Sequence, residues 1–500
     1  MESGDTRLAT MKSGIENADY KPQPWLENEG VYFDEDGNFN PNAYDPDAPY
    51  EPQGNTYKLE SNPEKIHEDP FDLDNLRFID KIRVQNLLLK LEGHAAEIAD
   101  AGSDRQIIAM IGTGGTIAMT MIDGELKPTL EPKALLDYAG GNLSRKFDVS
   151  STEYPTPIDS SEQEVDYEAD MVIAMSWIWK EMTAQCKKVF SGFAVSHGTD
   201  TLGAGATAVT NMLGPNCPFT VGFVGAQKTT EDDFDDVGVN VKNTLETMGK
   251  LKAKDKVSRF VYMGGTEGGA FHPAGVQKKD DRKVDAFGSP LHAKVMNASN
   301  FALGGIVDRF GRRYAETLDR EGANADFQPI ILRGYSPIID ITPKLGSSPA
   351  ACYEEIMRND TAKAVLLTTF GSYTANTKMR KAIQLAAAEK GMIVLGANPF
   401  PGGSSDHKYG PAKAMRDSGA HPVSTLPDAT SMKVFVGGDV FGQNREALAR
   451  FLTENNLIGE QNPESWMVEA VGDQTRDKKD VSKSQMPRFG APDAMFKKVA

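Results

Sequence analysis

The stretch IIAMIGTGGTIAMT (107–120) decides how this chain is read. Its first five residues, Ile107 to Ile111, form an apolar run of the length expected for a buried strand. The run breaks into Gly112-Thr113-Gly114-Gly115, where glycine lets the backbone turn sharply and approach a ligand closely. Thr116 then stands at the carboxyl end of the strand, the edge where open α/β sheets bind their ligands. A nucleotide-binding loop is one competing reading, but the spacing is not G-x-G-x-x-G and no Lys-Ser/Thr follows the glycines. A plain structural turn is the other.

A second stretch, FAVSHGTDTLGAGATAVTNML (193–213), repeats the arrangement. A strand ends at Ser196, His197-Gly198-Thr199-Asp200-Thr201 follow, and a helix is predicted from about Leu202. A hydroxyl and a carboxylate at a helix start are commonly caps. Two strand ends that each deliver a threonine after glycine are poorly explained by capping alone.

Outward from these two motifs, further short apolar runs read as strands: FTVGFVG (219–225), RFVYMG (259–264), AVLLTTF (364–370) and MIVLGAN (392–398). Most lead through small or polar residues into helical sequence, which is the pattern of βαβ units and a mostly parallel sheet. The expected fold is α/β with two domains. A larger N-terminal domain (105–325) has a mostly parallel sheet with flanking helices, and a smaller C-terminal α/β domain (346–460) is Rossmann-like. PIILRGYSPIIDITPKL (329–345) reads as a crossover, within a linker taken as 326–345. NREALARFLTENN (444–456) predicts a helix near the end of the second domain.

Residues 1–104 form an extension and 461–500 a charged tail. NFNPNAYDPDAPYEPQGN (38–55) is rich in Pro, Asn and Asp, and acids outnumber bases roughly three to one over the first sixty residues. Such a segment buries little apolar surface alone. It is expected to be an irregular arm docked on the body through Trp25, Val31, Tyr32 and Phe33. A helix is predicted over FIDKIRVQNLLLKLEGHAAEI (78–98), whose apolar residues recur near helical spacing.

The chain has 500 residues and a net charge of −17. That balance argues against a broad nucleic-acid surface, which needs Lys and Arg to neutralise phosphates. Three widely spaced cysteines, Cys186, Cys217 and Cys352, form no zinc or disulfide framework and fit a reducing, cytoplasmic compartment. The first residues do not read as a secretory signal, and no apolar stretch is long enough to span a bilayer. Neither a cofactor nor a metal is expected.

GTGGTIA and HGTDT, about eighty residues apart in that order, resemble the paired signatures of the type I/II L-asparaginase family. That family also supplies the D subunit of the archaeal-type glutamyl-tRNA amidotransferase. The resemblance runs from about Gln106 to about residue 455. Pro157-Ile158-Asp159-Ser160-Ser161 resembles the substrate-binding loop, although Asp159-Ser160-Ser161 alone reads as a polar turn. Val224-Gly225-Ala226-Gln227-Lys228 resembles the strand after the HGTDT helix. Gly275-Val276-Gln277-Lys278 stands where the family carries its reactive lysine. Gly371 to Asn376 and Tyr409-Gly410 resemble the smaller domain.

The resemblance implies an amidohydrolase that splits an amino-acid side-chain amide into acid and ammonia. Thr116 is then the candidate nucleophile, and Thr199 the second threonine, paired with Lys278. A threonine hydroxyl needs a base and a stabilised oxyanion, and a desolvated lysine can serve as that base. Asp200 is implied to bind the substrate's ammonium and to order Thr199 and Lys278. Ser160, with Ser161 and Gly115 beside it, would hold the substrate carboxylate. Backbone N–H groups near Gly115 and Thr199 are candidates for the oxyanion hole. Lys278 lies in QKKDDRKVDAF (277–287), a charge run that would ordinarily be a solvated loop, and Lys279 is its rival. Which threonine attacks first stays open.

Three departures qualify the resemblance. Met119 to Pro128 holds no tyrosine where many asparaginases place one on a lid, and DGELKP (123–128) is closer to the amidotransferase protein. Asp123 and Glu125 are candidates for compensation. The acidic residue that a neighbouring subunit contributes in the family has only Asp428 as a suggestive counterpart. The first hundred residues do not read as the small β-barrel of the amidotransferase protein. The expected partners are a small amino-acid amide and other copies of the chain, as a dimer or tetramer, with no nucleic acid and no membrane. Two rival readings remain: a glutaminase subunit that passes ammonia to a partner, and a catalytically silent fold used for binding.

Overall fold

The computed structural model describes Val84 and residues 105–454, apart from 141–142, 183, 215–216, 233–234, 254, 256, 265–268, 279–286, 289–295, 298–326, 328, 335, 345, 371–372, 399–409, 424–426 and 442–444. Val84 is helical and buried. The rest of the helix expected over 78–98, the arm with Trp25, Val31, Tyr32 and Phe33, and the tail from 461 lie outside the described residues.

The expected strand after the arm is β1 (Gln106–Gly114). A hairpin follows it, β2 (Met119–Ile122) and β3 (Glu125–Pro128), turning at Asp123 and Gly124 with φ of 53° and 82°. Helices α1 (Pro132–Ala139) and α2 (Leu143–Lys146) lead to β4 (Phe147–Ile158). Then come α3 (Val165–Glu181), α4 (Ala184–Val189), β5 (Phe190–Ser196), α5 (Leu202–Leu213), β6 (Val221–Val224), α6 (Val237–Ala253) and β7 (Arg259–Met263). Short strands β8 (Gly269–Phe271), β9 (Gln277–Lys278), β10 (Phe287–Gly288) and β11 (Met296–Asn297) complete this half.

Seven strands form one sheet in the order β11-β8-β7-β6-β5-β1-β4. From β4 to β7 all neighbours are parallel, and at the far edge β8 pairs antiparallel with both β7 and β11. β1 shows why the central strands read as unbroken apolar runs. Ile107, Ala109 and Ile111 pack with α3 and α5, whereas Ile108 and Met110 pack with α1 and α6. Successive side chains of a strand point to opposite faces, so a strand covered on both faces must be apolar at every position.

The second half is a parallel sheet in the order β12-β13-β14-β15, made of β12 (Ile338–Ile341), β13 (Ala364–Thr368), β14 (Ile393–Ala397) and β15 (His421–Val423). Helices α7 (Pro349–Arg358), α8 (Thr377–Glu389), α9 (Gly410–Asp417), α10 (Pro427–Phe441) and α11 (Arg445–Glu454) accompany it. The joining stretch therefore contains a strand, β12. One apolar cluster runs from α3 and α5 to Leu366 of β13, Leu395 of β14 and Val434 of α10. Among the described residues no helix is long and apolar enough to cross a membrane.

Candidate functional site

The sheet topology sets the location. From β1 the chain moves outward to β4, on one side, and from β5 it moves to β6, on the other. Neighbouring strands whose connections leave in opposite directions open a crevice at their carboxyl ends. Thr116 follows β1 and Thr199 follows β5, so both loops open into that crevice.

Close backbone contact joins the loops. Gly115 has φ 76°, a conformation that L side chains avoid, and a Cβ added there would collide with the Gly198 backbone. Thr116 then opens a single 3-10 turn, closed by the Ala118 N–H donating to the Gly115 carbonyl at 2.9 Å. Below, Thr113 Oγ1 donates to the Ser196 carbonyl at 3.1 Å and ties the ends of β1 and β5 together. Thr116 is half-buried, Thr199 is buried at 7% exposure, and Asp200 is exposed.

The third loop follows β4, whose Ile158 pairs with Gly114. Asp159 accepts hydrogen bonds from the Ser161 N–H at 2.9 Å and the Ser161 hydroxyl at 2.7 Å, making the polar turn the sequence allows. Ser160 is buried against Gly198. Its hydroxyl oxygen accepts the Asp200 N–H at 3.2 Å, and its carbonyl accepts the Thr201 hydroxyl at 2.8 Å. In this structure Ser160 braces the threonine loop, while Ser161 is exposed at its rim.

α5 begins at Leu202, where the sequence predicts it, and the Gly205 N–H bonds the Thr201 carbonyl at 2.7 Å. The Gln227 and Lys228 N–H groups donate to Asp236 at 2.9 to 3.2 Å, and Asn240 Nδ2 donates to the same carboxylate at 2.9 Å. Burial nevertheless raises the Asp236 pKa above its ordinary value, against the lowering effect of these bonds. Lys278 lies on β9, opposite Phe287. Two residues earlier, the Val276 carbonyl lies 2.9 Å from the place a Cβ on Gly203 would take, which puts this strand at the start of α5. The Lys278 side chain and Lys279 lie outside the described residues. Asp123 and Glu125 are exposed at the hairpin tip and its second strand, and Asp428 is exposed in the first turn of α10.

Sequence reasoning did not single out the layer beneath the loops. His197 is fully buried, with Nδ1 2.8 Å from the Gly198 carbonyl and Nε2 3.6 Å from Glu168 Oε1. Gln163 Nε2 donates to Glu168 Oε1 at 2.7 Å. The available signal was two acids, Glu168 and Asp170, opening the apolar run MVIAM (171–175).

Residues 107–303 match the family described as Asparaginase, N-terminal. Over that stretch the chain is similar to asparaginase N-terminal domains. The thermostable L-asparaginase of Thermococcus kodakarensis matches this asparaginase-type structure with a TM-score of 0.56 at 17% identity, over 71% of this chain and 99% of that one. L-asparaginase I of Vibrio cholerae gives a TM-score of 0.55 at 20% identity, with the same coverage. By sequence, the D subunit of the glutamyl-tRNA(Gln) amidotransferase of Methanosarcina mazei is 23% identical over 71% of this chain and 79% of that protein. Its counterpart in Thermoplasma volcanium is 24% identical, with 40% of its length matched. The 60 kDa lysophospholipase of Homo sapiens is 25% identical over 73% of this chain and 63% of its own length. The asparaginase fold thus accounts for both sheets.

Proposed function

We propose that the chain hydrolyses the side-chain amide of L-asparagine to L-aspartate and ammonia. The observation that carries this reading is the meeting of the Thr116 and Thr199 loops at the crevice between β1 and β5. In this reading Thr116 is the nucleophile. Its half-exposed position favours it over the buried Thr199. The Thr116 oxygen bonds to the amide carbon as its proton passes to a base, and backbone N–H groups at Gly115 and Thr199 stabilise the oxyanion. The intermediate collapses with loss of ammonia, which takes a proton as it leaves. Water then cleaves the threonyl ester and restores the hydroxyl.

Thr199 and Lys278 form the proton-handling pair, and exposed Asp200 receives the substrate ammonium. Ser161 at the rim, with Gly115 and Ser160 shaping the wall, faces the substrate carboxylate. Residues 105–325 hold this chemistry. Residues 346–460, joined through 326–345, supply the contact between copies in a cytoplasmic dimer or tetramer, with no cofactor involved.

The matches to amidotransferase D subunits, together with the DGELKP hairpin, favour one second reading: a glutaminase that hands ammonia to a partner protein. Ammonia release by the purified chain separates the two. Release from asparagine alone supports the first reading. Release from glutamine only with a partner and tRNA supports the second. A folded chain inactive under both conditions removes both.

A further inference from the structure

Buried His197 and Glu168, with half-buried Gln163, form a chain directly beneath the Thr199 loop. His197 Nδ1 lies 2.8 Å from the Gly198 carbonyl oxygen. Beside a carbonyl, Nδ1 can bond only as a donor, which fixes the tautomer at that nitrogen. The other ring nitrogen approaches Glu168 Oε1 at 3.6 Å, and Gln163 Nε2 donates to the same oxygen at 2.7 Å. Gln163 directly follows the turn that carries Ser160, and its own N–H bonds the Ser160 carbonyl at 3.3 Å. The chain therefore links two walls of the crevice from below.

The backbone geometry of Gly198 gives this contact a consequence. In a trans peptide unit the C=O and N–H groups point in opposite directions. Turning the Gly198 carbonyl toward His197 turns the N–H of the same unit, that of Thr199, away from the buried ring. Gly205 keeps the space for the pair. A Cβ there would lie 2.8 Å from both Glu168 Oε1 and His197 Nε2. Glycine inside a helix costs about 1 kcal/mol relative to alanine, and this crowding explains why the smaller residue stands in α5.

We infer that His197 is a positioning residue that aims the Thr199 N–H into the crevice, with Glu168 and Gln163 holding the ring. The catalytic part of this inference rests on the amidohydrolase reading, whereas the pinning of the loop does not.

The test uses the full chain as wild type, His197→Ala, His197→Asn, His197→Gln and Gly205→Ala. Each variant is checked for folding by circular dichroism. An aimed oxyanion donor acts on the transition state, so His197→Ala should lower kcat on asparagine about 10- to 100-fold with KM within about threefold. His197→Asn places an amide N–H near the lost Nδ1 donor and should recover most of kcat, whereas His197→Gln should not. Gly205→Ala pushes a methyl against both Glu168 Oε1 and His197 Nε2, disturbing the pair without deleting the Nδ1 donor, and should give an intermediate loss of kcat. Hydrogen–deuterium exchange supplies a readout independent of turnover. The peptide covering 197–203 should exchange at least about tenfold faster in His197→Ala than in wild type. If wild type releases no ammonia from asparagine, the asparagine reading falls and exchange alone decides the pinning. Unchanged exchange overturns the inference, as does an unchanged kcat, or equal loss in the Asn and Gln variants, in an active enzyme.

Discussion

Gly115 and Gly198 meet back to back where the loops after β1 and β5 leave the sheet. A Cβ on Gly198 would lie 3.1 Å from Gly115 Cα and 2.5 Å from Ser160 Cβ. Three loops share this one contact, so a single methyl group is enough to part them. Gly198→Ala is expected to cost about 1–3 kcal/mol through overpacking and to lower turnover with it. Gly115→Ala adds an alanine at φ 76° and should cost more. Urea unfolding of the two variants checks both the size and the order.

The proposed chemical roles divide between rate and recognition. Thr116→Ala and Thr199→Val should each lower kcat by orders of magnitude while leaving the unfolding midpoint within a few degrees of wild type, because neither side chain carries the apolar core. Asp200→Ala should act mainly on KM, since its exposed carboxylate is assigned to the substrate ammonium. Steady-state kinetics on asparagine separates the two patterns. A wild-type kcat in either threonine variant removes that residue from the mechanism.

How much of this was legible in the sequence follows from burial. β1 and β5 are covered on both faces, so their apolar runs gave both strands and the start of α5 at Leu202. β4 was not read as a strand. It is rich in Ser and Thr and contains Pro155 and Pro157, which a strand tolerates only when its outer edge has no neighbour to bond, and β4 is the sheet's edge strand. β12 was hidden in the joining stretch for a related reason: Pro337 and Pro343 bracket only four strand residues, at the edge of the second sheet. At the site, the convergence of the threonine loops followed from two similar motifs. The bracing use of Ser160 and the Glu168–His197 contact did not, because both depend on side chains meeting between elements far apart in the chain.

Arg333, in the stretch that joins the two sheets, reaches fully buried Asp170 of α3, with Nη2 3.1 Å from Oδ1. Removing one member of a buried pair strands the other charge. Asp170→Ala is therefore expected to destabilise the protein by about 3–5 kcal/mol, and Arg333→Met combined with Asp170→Leu should restore much of that loss. Denaturant titration of the single and double variants measures it.

The thiols provide a check on the packing around β6. Cys217 is fully buried, and burial raises its pKa to about 11 despite the nearby Arg259. Only the thiolate reacts with iodoacetamide, so labelling of the native protein at pH 8 should mark half-exposed Cys186 well before Cys217. Cys217 labelling should keep rising with pH toward about 11. Peptide mass spectrometry reads both sites, and equal labelling at pH 8 would contradict the closed packing.

The most direct measurement is ammonia release from L-asparagine by the purified chain, alongside Thr116→Ala. Two hydroxyl-bearing loops held together at one sheet edge predict steady release by wild type and a fall of at least about a thousandfold in the variant. Equal rates from both proteins, or no release by a folded wild type, would contradict the account.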